Sequence, residues 1–391
     1  MPPIVRLNKC LWIHSRNVEC QSVFKPLLET LAQRDIAIQR LEDCATDSID
    51  RVRELVWKTD QHVILHGLLA SELNALRPVF ERRKNFSILP IDWWNTPSWY
   101  PQNATYYIFY NYNGIAVRTQ QTNFLQKNRP PWLFYPDRLV RFAVLSALLR
   151  PPALAAAPLI DLFKNWQRHS HPVAAQRLLY FPFAITKEQV PLQLQPPRYD
   201  YTNMGATNGP WLMRDPYAPA WLNFANLYCD RQRLLGLMLG FEGKPFTIFD
   251  RRRNYSFLPW EELNHIVRQS RFMICTGGLH QNSVPKFLEY ACLGVPMIGA
   301  LLPFEYPWLD DCLFSVDAMN ISASELKLKL AEALDMQPKL HANCLAWRDR
   351  LLKMYHPDAL LDLLQDQMDG KPIPPGYLKV SATTPNQVPH T

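Results

Sequence analysis

One thirty-residue segment, residues 270–299, constrains the fold more than any other part of the sequence. The apolar run Phe272-Met273-Ile274-Cys275 is followed by the glycine pair Gly277-Gly278. Helical spacing then extends over residues 283–293, stops at Gly294 and is followed by a second apolar run. This order predicts a buried strand, a loop, a helix and a second parallel strand. Such units occur in parallel sheets flanked by helices, so we expect an α/β protein.

The first half of the chain shows a similar alternation of apolar runs and helical spacing. The run His62–Gly67 ends at a glycine, residues 68–80 have helical spacing, and Phe86–Pro90 is a further strand candidate. Strands and helices in alternation predict a parallel sheet that is covered on both faces. A chain of 391 residues is too long for one core of ordinary size, so we expect two domains.

The proline- and glutamine-rich stretch 186–199 is the predicted connection between these domains. It separates an N-terminal Rossmann-like domain at 1–190, the predicted acceptor side, from a C-terminal one at 200–340. Helical spacing continues through 341–368. The proline-rich end of the chain, 370–391, predicts a flexible tail.

The charge balance of the chain is mildly basic. There are 42 Lys and Arg against 35 Asp and Glu, which gives a net charge of +7 and a pI near 8.9. This suits an anionic ligand such as a nucleoside diphosphate, or loose contact with anionic lipid. The basic residues are scattered except for two short runs, Glu81–Lys84 and Arg251–Arg253, which we interpret as solvated loops. We therefore expect no nucleic-acid partner.

Cysteine spacing and hydropathy indicate in which cellular compartment the protein is expected. None of the eight cysteines forms a C-x-x-C pair or a zinc-type spacing, so no metal site is predicted and a reducing, cytoplasmic location is favoured. The N-terminal residues do not have the pattern of a signal peptide. The apolar stretch 139–163 is interrupted by arginines and prolines, so it predicts buried helices or a surface that touches a membrane, and no span. Peripheral membrane contact stays an open alternative.

The loop and helix inside residues 270–299 carry the predicted chemistry. A glycine pair before a helix N-terminus lets the backbone approach a phosphate, whose charge the exposed N–H groups and the helix dipole favour. Pro285 suits the first helical turn. Lys286 and Glu289 share one helix face, where the ammonium can pair with a diphosphate and the carboxylate can accept two hydrogen bonds from a ribose diol. The alternatives are an ordinary surface pair worth roughly a few tenths of a kcal/mol, and a solvated loop for His280.

The stretch Lys286-Phe-Leu-Glu-Tyr-Ala-Cys-Leu-Gly-Val-Pro-Met-Ile298 resembles the donor-binding signature of GT-B glycosyltransferases of the group 1 type, especially the CgeB-like and exostosin-like branch. The resemblance covers residues 225–365 and is only architectural before them. It implies two Rossmann-like domains facing across a cleft, with a C-terminal helix, for which 341–367 is the candidate, crossing back to the N-terminal domain. It also implies that Glu289 grips the nucleotide ribose, while the glycine-rich loop holds phosphate and the donor sugar.

The chain departs from the family pattern at one donor-side position. The family often has an acid eight residues before the ribose glutamate, where this chain has Gln281, which can hydrogen-bond sugar hydroxyls but carries no charge. Arg231, with Arg233 and Lys244, is a candidate for the basic pair that neutralises the leaving diphosphate, and the run from Arg251 competes with it. The predicted donor-binding residues are Thr276, Gly277, Gly278, His280, Gln281, Asn282, Lys286, Glu289, Arg231 and Arg251.

The acceptor side has weaker signals. Residues 91–135 combine aromatic and polar side chains, which is typical either of an irregular packed insert or of a cleft where aromatic faces stack on sugar rings. The segment 199–217 is equally consistent with a part of the cleft and with a packed surface loop. A base must take the proton of the acceptor hydroxyl. Asp92 is the first candidate, followed by His66, because it ends a predicted strand where open α/β sheets bind ligands, and by His14.

Together these features predict a glycosyltransferase that moves a sugar from a nucleotide-sugar donor to a glycan, lipid-linked or small-molecule acceptor. Lys and Arg side chains and a helix N-terminus can stabilise the departing diphosphate, so we expect no metal and no cofactor other than the nucleotide sugar itself. One alternative is a sugar-nucleotide epimerase on the same fold. Another is a catalytically degenerate protein that binds nucleotide or glycan, an idea that Gln281 favours.

Overall fold

The computed structural model of the chain describes two compact units. The first contains the described residues up to Asn111, those from 175 to 186 and those from Met354 onward, and the second contains those from Lys187 to Lys353. The described residues are 5–19, 23–41, 46–68, 70–91, 103–111, 175–193, 195–204, 234, 245–247, 260–275, 284–302, 305–317 and 321–379.

The first unit is built on a parallel sheet. Its strands lie in the order β2-β1-β3-β4-β5-β6, and the side chains of β1, β4, β5 and β6 are buried along their whole length. Strands buried on both faces are the near-continuous apolar runs that the sequence shows. The elements are β1 (Cys10–Ser15), α1 (Arg16–Glu19), α2 (Lys25–Gln33), β2 (Ala37–Leu41), α3 (Thr46–Lys58), β3 (His62–His66), α4 (Ala70–Phe80), β4 (Phe86–Leu89), β5 (Tyr106–Phe109) and β6 (Leu178–Tyr180).

The second unit is built on another parallel sheet, in the order β11-β10-β9-β7-β8. Its core includes Phe272 and Ile274 from β9 and Ile298 from β10, packed with Leu326 and Leu330 of the long helix α8. The elements are β7 (Tyr199–Asn203), β8 (Pro245–Thr247), α5 (Trp260–Arg268), β9 (Ser270–Ile274), α6 (Pro285–Cys292), β10 (Met297–Gly299), α7 (Leu309–Cys312), β11 (Leu313–Ser315) and α8 (Ala323–Met354). Two α/β units with parallel sheets confirm the predicted fold class.

A C-terminal helix, α9 (Pro357–Met368), packs in the first unit, and this confirms the predicted return of the chain. The Gln367 amide donates to the carbonyl oxygen of Tyr180 and accepts from its N–H, which extends the edge of β6. The guanidinium of Arg34, the residue that follows α2, pairs with Asp358 and Asp362 of α9, both at 2.7 Å. Helix α9 is therefore held in the first unit by hydrogen bonds and ion pairs as well as by its apolar face.

The C-terminal helices differ in one respect from the predicted pattern. Helical spacing at 326–334 and 341–367 predicts two helices, whereas α8 continues through Pro338 and the break falls at residues 355–356. Pro357 occupies the first turn of α9, where its missing N–H costs nothing. In the parts of the chain that the structure describes, no helix is long and apolar enough to cross a membrane.

We predict that Gly67→Ala destabilises the first unit by about 2–4 kcal/mol, through backbone strain and overpacking. Gly67 follows β3 with φ +62°, and an added Cβ would lie 2.4 Å from Val18 Cγ2 and 2.7 Å from Ile91 Cδ1. Gly370→Ala is the matched control, because Gly370 has φ +83° with no atom within 4 Å of the added Cβ. Urea unfolding measures the free energy of unfolding of both variants. Equal losses of stability in the two variants would contradict the contribution of packing around Gly67.

Candidate functional site

The second sheet reverses its strand order between β7 and β9. From β7 the chain goes to β8 on one side, and it then returns to the other side of β7 with β9 and continues to β10 and β11. In open α/β sheets, ligands bind in the crevice outside the carboxyl ends of the strands at such a switch point. In this unit that position lies beyond Met204, which follows β7, and Cys275, which follows β9. The candidate site is therefore the carboxyl edge at β7 and β9.

Helix α6 begins after this edge. Its N-cap residue Val284 is extended, Pro285 stands in the first turn, and no side chain of the N-cap residue bonds the first N–H groups. Six predicted donor-binding residues stand between β9 and α6 and lie outside the described residues: Thr276, Gly277, Gly278, His280, Gln281 and Asn282. Their phosphate-binding role stays a prediction.

Lys286 reaches from the first turn of α6 to the switch point. Its ammonium donates a hydrogen bond to the carbonyl oxygen of Met204, at the end of β7. No local pattern indicates this partner, which lies 82 residues away along the chain. An ammonium has three N–H donors, so a bond to one carbonyl is compatible with a second bond to a phosphate oxygen.

Glu289 lies one turn further along α6 and is partly buried. Among the residues that the structure describes, none hydrogen-bonds or forms a salt bridge with its carboxylate. Burial raises the pKa of Glu289 to about 7, although the nearby charge of Lys286 lowers it. A carboxylate in this state is costly, because no donor among the described residues offsets its desolvation.

The far end of α6 is fixed to α8. Gly294 ends the helix with φ +76°, and an added Cβ there would meet Leu345 at 2.8 Å. His341 of α8 hydrogen-bonds the Gly294 carbonyl oxygen, and the buried Arg348 guanidinium donates to that of Cys292. A cation at the C-terminal end of a helix also suits its dipole. The C-terminal end of the helix that carries Lys286 and Glu289 is therefore fixed to α8.

The first sheet has its own switch point, between β1 and β3, since β1 is followed by β2 on one side and β3 on the other. His14 near the end of β1 is paired in register with His66 at the end of β3. Both predicted histidines therefore lie at the carboxyl edge where ligands bind. Their surroundings, however, are different.

His66 is fully buried and both ring nitrogens are occupied. The indole N–H of Trp12, which can only donate, bonds Nδ1 at 3.2 Å, so the proton of the neutral ring is on Nε2 and points to the Tyr110 hydroxyl at 2.6 Å. Burial lowers the pKa of His66 to about 3, with a smaller contribution from His14. A base needs an open nitrogen that reaches its substrate, so this environment argues against the predicted catalytic role and for a structural one.

His14 has a different arrangement. Its Nδ1 lies 3.0 Å from the carbonyl oxygen of Ser15, and a donor bond there leaves Nε2 as the basic nitrogen. Burial lowers the pKa of His14, and the hydrogen bond to Ser15 opposes this shift. The imidazole is therefore neutral and able to accept a proton at pH 7. The other predicted residues, Asp92, Arg231 and Arg251, lie outside the described residues.

Several partners were not foreseen from the sequence. Tyr110 and Trp12 fix His66, Met204 binds Lys286, and Arg348 holds the end of α6. Each pair joins positions far apart in the chain, and nothing in the local pattern indicates it. Within the described ranges, no cluster of three or more His, Cys, Asp or Glu side chains has the arrangement of a metal site.

Comparisons with known proteins find weak similarities to solved structures. No protein-family model and no curated protein matches the chain. HepE of Anabaena, in complex with UDP and glucose, is 8% identical with a TM-score of 0.49, over 93% of this chain and 100% of that chain. Sucrose-phosphate synthase of Thermosynechococcus elongatus is 11% identical (TM-score 0.46, 92% and 97%), and MurG of Acinetobacter baumannii is 10% identical (TM-score 0.37, 92% and 99%). Similarities this weak do not assign a family or an activity to this chain.

Proposed function

We propose that this chain is a glycosyltransferase of the GT-B type that moves a sugar from a nucleotide-sugar donor to an acceptor. The observation that carries the proposal is the Glu289 carboxylate, partly buried behind the switch point of the second sheet and without a donor from the described residues. A ribose diol presents two O–H donors, which is the complement that such a carboxylate requires.

The diphosphate would lie between the glycine pair and the first turn of α6. The N–H groups of that turn favour negative charge. Lys286, whose ammonium is already at the end of β7, would add a positive charge beside them. As the anomeric bond breaks, negative charge develops on the departing diphosphate, and these groups stabilise it without a metal ion.

The acceptor would be activated on the first unit by His14. Its neutral ring at the first switch point has the tautomer of a general base, with Nδ1–H held by the Ser15 carbonyl. Asp92, outside the described residues, stays the alternative base. The five described cysteines are all buried and free, as is usual in a reducing compartment such as the cytoplasm, which we propose as the location.

The experiment that tests the function is incubation of the protein with UDP-glucose, GDP-mannose and ADP-glucose, with measurement of nucleoside diphosphate release. A transferase without its acceptor should bind one of these donors and hydrolyse it slowly, with water as the acceptor. Binding without any release would instead favour the catalytically degenerate alternative. No binding of any donor would contradict the proposal.

We expect His14→Gln to slow donor hydrolysis by about 100-fold with little change in donor affinity, because general-base catalysis contributes roughly 10²–10⁴-fold. His62→Gln is the matched control: His62 is also a histidine of this sheet, but it lies at the opposite, amino-terminal end of β3 and bonds Ser87. Steady-state rates of both variants decide the assignment. An active His14→Gln variant, or an equal loss in both, would exclude His14 as the base.

A further inference from the structure

Ser15 is the last residue of β1 and is buried at the carboxyl edge of the first sheet. The backbone pairing of β1 with β3 ends one residue earlier, at His14 and His66. Beyond this pair, the Ser15 hydroxyl donates a hydrogen bond of 2.7 Å to the carbonyl oxygen of Gly67, which follows β3. One side-chain hydrogen bond therefore extends the connection between the two strands past the end of their backbone pairing.

The turn at Gly67 is a firm anchor for this hydroxyl. The Gly67 N–H donates to the carbonyl oxygen of Leu89 at 2.8 Å, which ties the turn to the end of β4. Side chains also pack closely around it, since a Cβ added to Gly67 would lie 2.4 Å from Val18 Cγ2 and 2.7 Å from Ile91 Cδ1. Close packing of this kind leaves the backbone little room to move. The Ser15 hydroxyl is therefore tied to a fixed acceptor.

The backbone of the same serine sets the position of the proton on His14. The Ser15 carbonyl oxygen, which can only accept, lies 3.0 Å from Nδ1, so the neutral ring carries its proton on Nδ1 and its lone pair on Nε2. The side chains beside His14 in register have other partners: Arg40 of β2 pairs with Glu19 at 3.0 Å, and both ring nitrogens of His66 are occupied. Within the described ranges, the Ser15 carbonyl is thus the hydrogen-bond partner that selects the tautomer.

We propose that Ser15 is a positioning residue for the general base, an inference that rests on the proposed function. Its hydroxyl, held by Gly67, fixes the orientation of its own carbonyl group, and this carbonyl keeps His14 in the Nδ1–H tautomer. Without the hydroxyl, the end of β1 reorients and the neutral ring exchanges to the Nε2–H tautomer. In that tautomer Nε2 has no lone pair with which to take the proton of the acceptor hydroxyl.

Nitrogen NMR of protein made with isotope-labelled histidine measures the tautomer directly, because ring nitrogens with and without a proton have well-separated chemical shifts. At about pH 8 a histidine ring is neutral unless its pKa is raised. The His14 signals are those missing from the spectrum of His14→Gln. We expect a protonated Nδ1 in the wild type and in Ser15→Thr, which keeps the hydroxyl. In Ser15→Ala we expect the Nε2–H tautomer to become populated.

Hydrolysis of whichever of UDP-glucose, GDP-mannose and ADP-glucose the protein accepts measures the consequence for catalysis. Ser15→Ala should lower kcat by about tenfold with little change in KM, because a misplaced base costs rate rather than donor binding. Ser15→Thr should keep most of the rate.

Thr105→Val is the matched control for a lost buried hydroxyl. Thr105 is a buried residue of the same sheet, and its hydroxyl also donates to a backbone carbonyl, that of Lys84, at 2.8 Å. It lies at the opposite edge, however, because it precedes the first residue of β5. Thr105→Val should therefore leave both the His14 tautomer and kcat unchanged.

The possible results separate the two proposals. An unchanged tautomer in Ser15→Ala, or an Nε2–H ring in the wild type, would overturn the positioning role and leave the proposed function standing. Equal losses of kcat in Ser15→Ala and Thr105→Val would assign the effect to general destabilisation and would also overturn that role. Donor hydrolysis at the wild-type rate by His14→Gln would give the base to another residue, and the positioning role alone would fail. No binding of any of the three nucleotide sugars would overturn both.

Discussion

Glu289→Ala should weaken donor binding by about 1.5–3 kcal/mol, or roughly 10- to 150-fold in Kd, because hydrogen bonds to a charged group are lost. The expected effect on folding is small and of favourable sign. The carboxylate is partly buried and receives no hydrogen bond from the described residues, so its removal relieves a desolvation cost. Loss of binding with retained or raised stability is typical of a residue selected for its ligand.

Calorimetry with the donor and thermal unfolding of the same variant together check this result. Glu261→Ala serves as the control, since Glu261 is an exposed glutamate in the first turn of a helix of the same unit. Unchanged donor affinity in Glu289→Ala would count against the ribose assignment. A large loss of stability in that variant would indicate that Glu289 has a structural partner.

His66→Ala should lower the free energy of unfolding by about 3–5 kcal/mol, from the cavity and from the lost hydrogen bonds to Trp12 and Tyr110. Because burial lowers the pKa of His66 to about 3, the folded protein keeps this ring neutral while an unfolded chain protonates it near 6.5. The unfolded state therefore binds more protons between these values, so stability is complete above about pH 6.5 and is lost as the pH falls towards 3. Burial also lowers the pKa of His14 and His62, which adds in the same direction.

Urea unfolding of the wild type and of His66→Ala between about pH 5 and pH 8 measures both effects. The difference between the two proteins should be largest above pH 6.5 and smaller in acid, because the variant no longer has to keep a histidine neutral. His265→Ala is the control, an exposed histidine whose loss should cost less than about 0.5 kcal/mol. Equal stability of His66→Ala and wild type would contradict a structural role for this ring.

Much of the architecture could be predicted from the sequence. The apolar runs at β3, β4, β9 and β10 are strands, and the stop at Gly294 is a real helix end with a positive φ. These signals are local: a strand buried on both faces has to be apolar throughout, and a left-handed residue after a helix favours glycine. The predicted break between residues 334 and 341 was wrong, because α8 continues through these residues, including Pro338 with its missing N–H.

The chemistry at the carboxyl ends of the strands in the two sheets could not be predicted from the sequence in the same way. The position of His66 at a strand end was visible, but its role depends on Trp12 and Tyr110, which lie 54 and 44 residues away. Likewise, the spacing of Lys286 and Glu289 puts them on one helix face, but only the tertiary structure shows that Lys286 bonds Met204. A sequence pattern shows which groups are available, whereas their pKa values and partners depend on burial and on distant contacts.

The most direct test of the central claim is a crystal structure of the protein with a bound nucleoside diphosphate. We expect the diphosphate against the backbone N–H groups of Gly277, Gly278 and the first turn of α6, and both ribose hydroxyls in hydrogen-bond contact with Glu289. A nucleotide bound elsewhere, or a Glu289 carboxylate beyond hydrogen-bond reach of the ribose, would contradict it.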